Sequence, residues 1–474
     1  MLKHQTILKT LSFLVPYLLV LNYDLNHYYL LGGYYWDSGE FAFYASHSTQ
    51  FLVKAPALLH SEPIVRLSIH VTPFFYATSG LYQLVSALPP DAYFSLIQAV
   101  WAGLIGFCLF GVLSEVCSPW VALLIAGASA FNGPMLAALG FPHIEIAIPA
   151  LSILFFYGAR KGNWVLATIA FVLCLSIRED AGLHIGAVLL LLTSVNFLLA
   201  KDRADARRLL AYGVIAVLYS IAVIAIQTIY FPPETSNLSR IYLGSPPFAH
   251  VDAAFVLSQA RIFLMAKGYV VLPVLVLIVW ALKTRDWRLL VAPLSVTPWL
   301  TLQALAVSPG ASHLSDYYGF PAILALCWPT LAPVRPRVWL QAFVSAGSIL
   351  LFVTVGAFDK DMKPWAHFGP PPFAAIGRYE AVLRTEVAAA RCHGRIMVDD
   401  AVAALIPERL NRAEWLHQLF VDGLRSPDAI IYMTNAYDSA LTDKAIAVAG
   451  LTSRRNIVGT PFVVATAQGA CASN

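Results

Sequence analysis

The chain has 474 residues, of which 58% are hydrophobic and only 12% charged, with a formal net charge of +4. Soluble globular domains carry about 25% charged residues, so this composition excludes an ordinary water-soluble enzyme and makes lipid the natural solvent for its long apolar runs. The small positive balance gives no case for nucleic acid as a partner.

A membrane span needs about 20 helical residues to cross roughly 30 Å of hydrocarbon. The chain opens on the basic stretch MLKHQTILKT, followed by an apolar, aromatic-rich run without a small-residue cleavage site. It reads as an uncleaved first helix rather than a signal peptide. In chain order the candidate spans are 11–31, 92–113, 119–138, 143–159, 164–177, 182–200, 209–230, 269–282, 289–307, 319–333 and 340–357. The fold expected is therefore an all-α polytopic membrane bundle of about 11 transmembrane helices. The stretch 70–88, with its His, Pro and Gly, suits an interfacial segment better than a span. Residues 32–91 then form one long outer loop, and 1–357 one transmembrane domain.

Orientation follows from lysine and arginine in the short loops. With the N-terminus in the cytoplasm, the loops near 160, 201–208, 283–288 and 335–337 are cytoplasmic and strongly basic, while the longer outer segments are poor in Lys and Arg. Counting 70–88 as a span would invert every later loop and place the basic ones outside.

After a Pro-rich linker at 358–375 the composition changes. GRIMVDD, DAIIYM and FVVAT read as buried strands, and EAVLRTEVAAA and DKAIAVAG as helices. These predict a small α/β domain over 376–474, outside the cytoplasm and without a Gly-rich phosphate loop. Of six cysteines, four lie in or beside apolar runs, while Cys392 and Cys471 share the tail as a candidate pair. No CxxC spacing marks a structural zinc site.

Four clusters carry chemistry. In YYWDSGEFAFYASHS, Asp37 and Glu40 share a helix face and are candidate ligands for Mg²⁺ or Mn²⁺, although a solvated acidic pair in an aromatic interfacial belt reads equally from the same residues. His143 and Glu145 begin an apolar helix, where a carboxylate also serves the helix dipole. Arg178, Glu179 and Asp180 fill the whole turn between two apolar runs, either as a mutually paired turn or as a site. The planar fork of Arg178 matches a phosphate. His313, Asp316 and Tyr317 lie in a short loop that also reads as a wet loop with aromatic anchors. All four fall on the outer side of the topology, which points to one polar cavity there.

These residues carry a resemblance that covers nearly the whole chain. Trp36-Asp37-Ser38-Gly39 follows the first helix, and His70-Val71-Thr72-Pro73 comes next. Pro142-His143-Ile144-Glu145, a basic–Glu–Asp turn led here by Arg178 where lysine is usual, and the loop from His313 to Tyr318 complete the series. A C-terminal Asp-Asp-Ala-Val strand end accompanies them. In this order they resemble the membrane-protein family catalogued as domain of unknown function 2079. That family in turn resembles the GT-C class of membrane glycosyltransferases. The resemblance implies a bacterial inner-membrane enzyme moving a sugar from a polyprenyl-phosphate donor to a cell-envelope glycan or protein acceptor. Asp37 would then act as base or acceptor-positioning group beside Glu40. His143, Glu145, Arg178, Glu179, Asp180, His313, Asp316 and Tyr317 would hold the donor. The resemblance leaves the metal open: Mg²⁺ or Mn²⁺ at Asp37 and Glu40, or none, as in some enzymes of the class. A transporter or flippase, and a non-catalytic assembly protein whose tail domain recruits partners, are the alternatives.

Overall fold

A computed structural model describes residues 2–29, 41–42, 45, 54–55, 64–65, 67, 70–140, 143–199, 203–230, 238–314, 316–332, 335–356, 369–370, 373–390, 394–406, 414–415, 426–434 and 439–467. By contact it divides into two units: residues 1–21, 70–74 and 96–368, and residues 22–69, 75–95 and 369–474.

The chain is mostly helical. It begins with α1 (Leu2–Tyr29), a short antiparallel pair β1 (Lys54–Ala55) and β2 (Ile64–Val65), then α2 (Pro73–Tyr82) and α3 (Pro90–Leu113). There follow α4 (Pro119–Ala130), α5 (Gly133–Ala137), α6 (Ala147–Arg160), α7 (Trp164–Leu175), α8 (Ala181–Leu198) and α9 (Arg203–Tyr230). The helical unit ends with α10 (Ala253–Leu264), α11 (Gly268–Thr284), α12 (Val291–Ala304), α13 (Pro309–Ser312), α14 (Pro321–Leu331) and α15 (Val338–Leu351).

Among the described residues five helices are long and apolar enough to cross a membrane: Gln5–Tyr28, Pro90–Leu113, Ala181–Leu198, Asp205–Tyr230 and Val338–Gly356. A sixth arises if α10 and α11, bent by 85° at their junction, form one broken span. The sequence expectation of about eleven therefore exceeds what helix length supports. Several apolar runs are interrupted. The run 119–138 breaks between α4 and α5, where Asn132 caps the second helix through Met135 N. The run 143–159 begins as a 3₁₀ turn at Ile144–Ile146, and α7 is only 12 residues long. In 70–88, α2 has ten residues, about 15 Å of helix and too short to cross.

Small residues set the helix contacts, as expected where lipid removes any hydrophobic preference for protein over solvent. A Cβ on Gly182 would stand 2.1 Å from the Ala216 carbonyl, and one on Gly186 2.8 Å from Val217. The α8–α9 hairpin can close only because both positions are glycine. The outer face of α9 stays apolar and exposed at Leu218, Ile221, Ile226 and Ile229, ready for acyl chains. Elsewhere Gln341 of α15 ties three elements together. Its amide nitrogen donates to Ser129 Oγ, Ser345 Oγ and the Leu326 carbonyl, and its oxygen accepts from Thr330 N and Oγ1. That network satisfies backbone groups freed next to Pro329 in α14.

The second unit carries the sheet. Its elements are α16 (Phe373–Ala389), β3 (Ile396–Val398), α17 (Asp400–Leu405), β4 (Glu414–Trp415), β5 (Ala429–Met433), α18 (Ser439–Ala449), β6 (Ser453–Asn456) and β7 (Phe462–Thr466). Strand order is β4-β3-β5-β7-β6, with β3 parallel to β4 and β5, and β7 antiparallel to β5 and β6. β5 is buried on both faces and reads as an unbroken apolar run, AIIYM. Tyr28 of α1 enters the same core as Val398, Ile431 and Phe462. Asp399 caps α17 through Val402 N and also accepts from Met433 N, locking the strand end that the sequence marks as Asp-Asp-Ala-Val.

Candidate functional site

Three helices, α6, α8 and α14, start near one another, and the segments that lead into them hold the chemistry. Before α6, His143 has extended backbone (φ −73°, ψ 131°) ahead of the 3₁₀ turn. A regular helix would send an i, i+2 pair to different faces. This broken start instead brings His143 Nδ1 within 3.2 Å of Glu145 Oε2.

The turn into α8 supplies the cation. Arg178 Nε donates to Asp180 Oδ1 at 2.7 Å and its Nη2 to Asp180 Oδ2, a side-on fork, while Nη1 reaches Glu145 Oε1 at 3.2 Å. The Arg178 and Glu145 side chains are only 8% and 6% exposed, so this is a buried charge network rather than a surface turn. Asp180 lies 3.6 Å from His184 Nε2, one helical turn further along α8. Burial alone would raise the Asp180 carboxyl, but the Arg178 guanidinium and His184 outweigh it and hold the group well below the ordinary carboxylate range. Glu179 turns the other way. It accepts from Val71 N at 2.9 Å and pairs with His70 Nδ1 at 2.8 Å.

Aromatic rings close the cluster. Tyr317, in the turn before α14, stacks on His143 with centroids 3.7 Å apart, and Tyr318 stacks on Tyr317. Phe320 lies 5.7 Å beneath the Arg178 guanidinium and meets His184 edge-on.

Of the sequence candidates, the structure thus unites His143, Glu145, Arg178, Glu179, Asp180 and Tyr317. His313 ends α13 half-buried, and among the described residues its side chain makes no hydrogen bond or ion pair. The Asp316 backbone opens the turn Asp316–Gly319, but its side chain lies outside the described residues. Asp37 and Glu40 also lie outside them, as do Cys392 and Cys471. Among the described residues no group of three His, Cys, Asp or Glu side chains is placed to hold a metal ion. His184 and His70 are additions. His184 was legible as the i+4 partner of Asp180 on a helix otherwise apolar at that end. Nothing in the spacing could pair His70 with Glu179, 109 residues away.

Arg178 is engaged by carboxylates along both edges, so an incoming phosphate would have to displace Asp180 or Glu145. The arrangement sets one guanidinium and three histidines among three carboxylates in a largely buried place, each histidine facing a carboxylate. Such a cluster can exchange a carboxylate partner for a ligand anion, or pass a proton.

Apolar helices with a buried ion-pair cluster at their ends define a polytopic membrane protein. The chain belongs to the family described as predicted membrane protein (DUF2079), whose model matches residues 36–315, a stretch that contains every residue of the cluster except Tyr317, Tyr318 and Phe320. No curated protein matches the chain.

Proposed function

We propose that the protein is a membrane glycosyltransferase taking a sugar from a polyprenyl-phosphate donor. The observation that carries the reading is the convergence of His70, His143–Glu145, Arg178–Asp180 and Tyr317, from four separate segments, on one buried ion-paired cluster at one end of three helices. In this reading Arg178, assisted by His143, exchanges a carboxylate for the donor phosphate. The bond from the anomeric carbon to the phosphate oxygen breaks, and the lipid phosphate leaves. The acceptor hydroxyl forms the new bond to that carbon with inversion and gives its proton to Asp37. A positioned base supplies roughly 10²–10⁴-fold, and neutralising the leaving phosphate is the larger contribution.

The eleven-span count, the GT-C likeness, the bacterial inner-membrane location with an extracytoplasmic C-terminal domain, and a cell-envelope acceptor belong to the same proposal. The short apolar helices α4 and α7 count as spans within it.

The test is turnover of a radiolabelled polyprenyl-phosphate sugar by purified protein, comparing wild type with Asp37→Asn. Transfer should fall at least a hundredfold in the variant. Undiminished transfer by a folded Asp37→Asn protein would sink the assignment. A transporter is the second reading, favoured by the 85° bend between α10 and α11, since broken helices line substrate paths in carriers. It predicts movement of the lipid-linked substrate across proteoliposomes without any sugar transfer.

A further inference from the structure

At the opposite ends of α6, α8 and α14 lies a cavity of about 530 Å³. Arg160 closes α6, Asn196 stands in the last turn of α8, and Leu331 ends α14 there, joined by Trp164, Leu209 and the buried Arg288. Three polar atoms on this wall have no hydrogen-bond partner among the described residues: Arg160 Nε, Asn196 Oδ1 and Arg288 Nε. Arg288 is only 7% exposed, and a buried guanidinium nitrogen without a partner is costly. The amide of Asn196 can present either its oxygen or its nitrogen to a ligand.

The charges around the cavity favour an anion. Its two carboxylates are already claimed: Glu115 by Lys161 and by Arg160 Nη2 at 3.4 Å, and Asp205 by Arg208 at 3.9 Å. Among the described residues those pairings leave Arg288 and the Nε edge of Arg160 as the donors without a counter-charge. The C-terminal ends of α6 and α8 point here, which favours cations on the protein side and explains why arginines gather. The remaining wall is apolar, with Phe156, Leu192, Leu209 and Leu331. A lone inorganic ion would leave most of that wall and volume unused.

We infer that this cavity binds the phosphate group of an anionic amphiphile, with Arg288 and Arg160 on the phosphate and the apolar wall on the first part of its chain. A membrane lipid and a soluble phosphate ester share that headgroup chemistry, and the two differ in whether a hydrocarbon chain is required. The site is separate from the ion-pair cluster, and the inference does not depend on the glycosyltransferase reading.

The test uses the full-length protein in phosphatidylcholine nanodiscs. Phosphatidic acid is titrated against it in one arm, and inorganic phosphate or glycerol 3-phosphate in the other, with bound lipid counted by native mass spectrometry. Phosphatidic acid should bind well above the phosphatidylcholine background. Arg288→Gln should weaken it by about 10- to 100-fold, the loss of a hydrogen bond to a charged group. Asn196→Asp, which adds a carboxylate to the wall without removing bulk, should weaken it similarly and covers the case in which Arg288→Gln does not fold. Competition by glycerol 3-phosphate or inorganic phosphate at comparable concentration would show that no hydrocarbon chain is needed and would overturn the assignment to an amphiphile. Equal binding of phosphatidic acid and phosphatidylcholine, or unchanged binding in folded Arg288→Gln or Asn196→Asp protein, would overturn the inference and leave a water-filled cavity.

Discussion

At the N-terminal ends of α6, α8 and α14, arginine, glutamate, aspartate and histidine bond to one another, and among the described residues none of their buried polar atoms lacks a partner. At the C-terminal ends of the same helices, Arg160, Asn196 and Arg288 hold polar atoms with no partner among the described residues around an open volume, and the ion pairs beside them are exposed. Similar residue types are thus spent in two ways. A saturated network holds a geometry and admits a ligand only by giving up one of its own partners, whereas polar atoms without a partner around a cavity can take one directly. The 18 residues of α8, about 27 Å of helix, separate the two.

The comparison breaks most sharply at Arg178. Arg178→Ala leaves Glu145 and Asp180 buried without their cation, which should cost about 3–5 kcal/mol and appear as a large fall in the thermal midpoint of the purified protein. Arg178→Lys keeps the charge but not the fork, and should recover only part of the loss. If Arg178→Ala unfolds at the wild-type temperature, the cluster is not the closed network its distances describe.

A smaller effect follows from Asp180. Its carboxyl is held below its ordinary value of 3.8, so the native state prefers the charged form. The stabilisation is complete above the ordinary carboxylate range and fades as pH falls toward the depressed value. Thermal unfolding followed from about pH 7 down to about pH 3 should show wild type losing stability below about pH 4. Asp180→Asn, already lacking that contribution, should lose less over the same interval. Parallel curves for the two proteins would contradict the pairing.

How much of this was legible in the sequence depends on the range of the interactions. The strands IMV, AIIYM and FVVAT are short apolar runs bounded by polar turns, and each was readable because a buried strand leaves that local trace. The edge strand SRRN is exposed along its whole length and left no such trace. In the membrane part, apolarity identified the runs but not their breaks. Asn132 caps the start of a new helix and His143 leads with extended backbone into a 3₁₀ turn, features that hydropathy does not register. The same break let His143 reach Glu145, which helical spacing argued against. The Arg178–Asp180 fork is local and was readable, but the choice of Glu145 and His70 as partners depends on how distant segments pack. At the other end, Arg160 and Arg288 were read only as orientation signals, because nothing in loop charge says that one of them is buried.

The smallest effect tests the exposed side of the comparison. Lys161 and Glu115 are each more than a third exposed, and burial, which would raise the Glu115 carboxyl, is outweighed by Lys161 and Arg160, which hold it below its ordinary value. Water screens such a pair, so Lys161→Ala should cost about 0–1 kcal/mol, and the difference should shrink further in molar salt, where the screening length falls to about 3 Å. Thermal unfolding at low and high salt measures both. A loss approaching that of Arg178→Ala would erase the distinction between the two ends. A small loss in stability joined to weaker phosphatidic acid binding would sharpen it, because Glu115, released from Lys161, would then compete with the phosphate for Arg160.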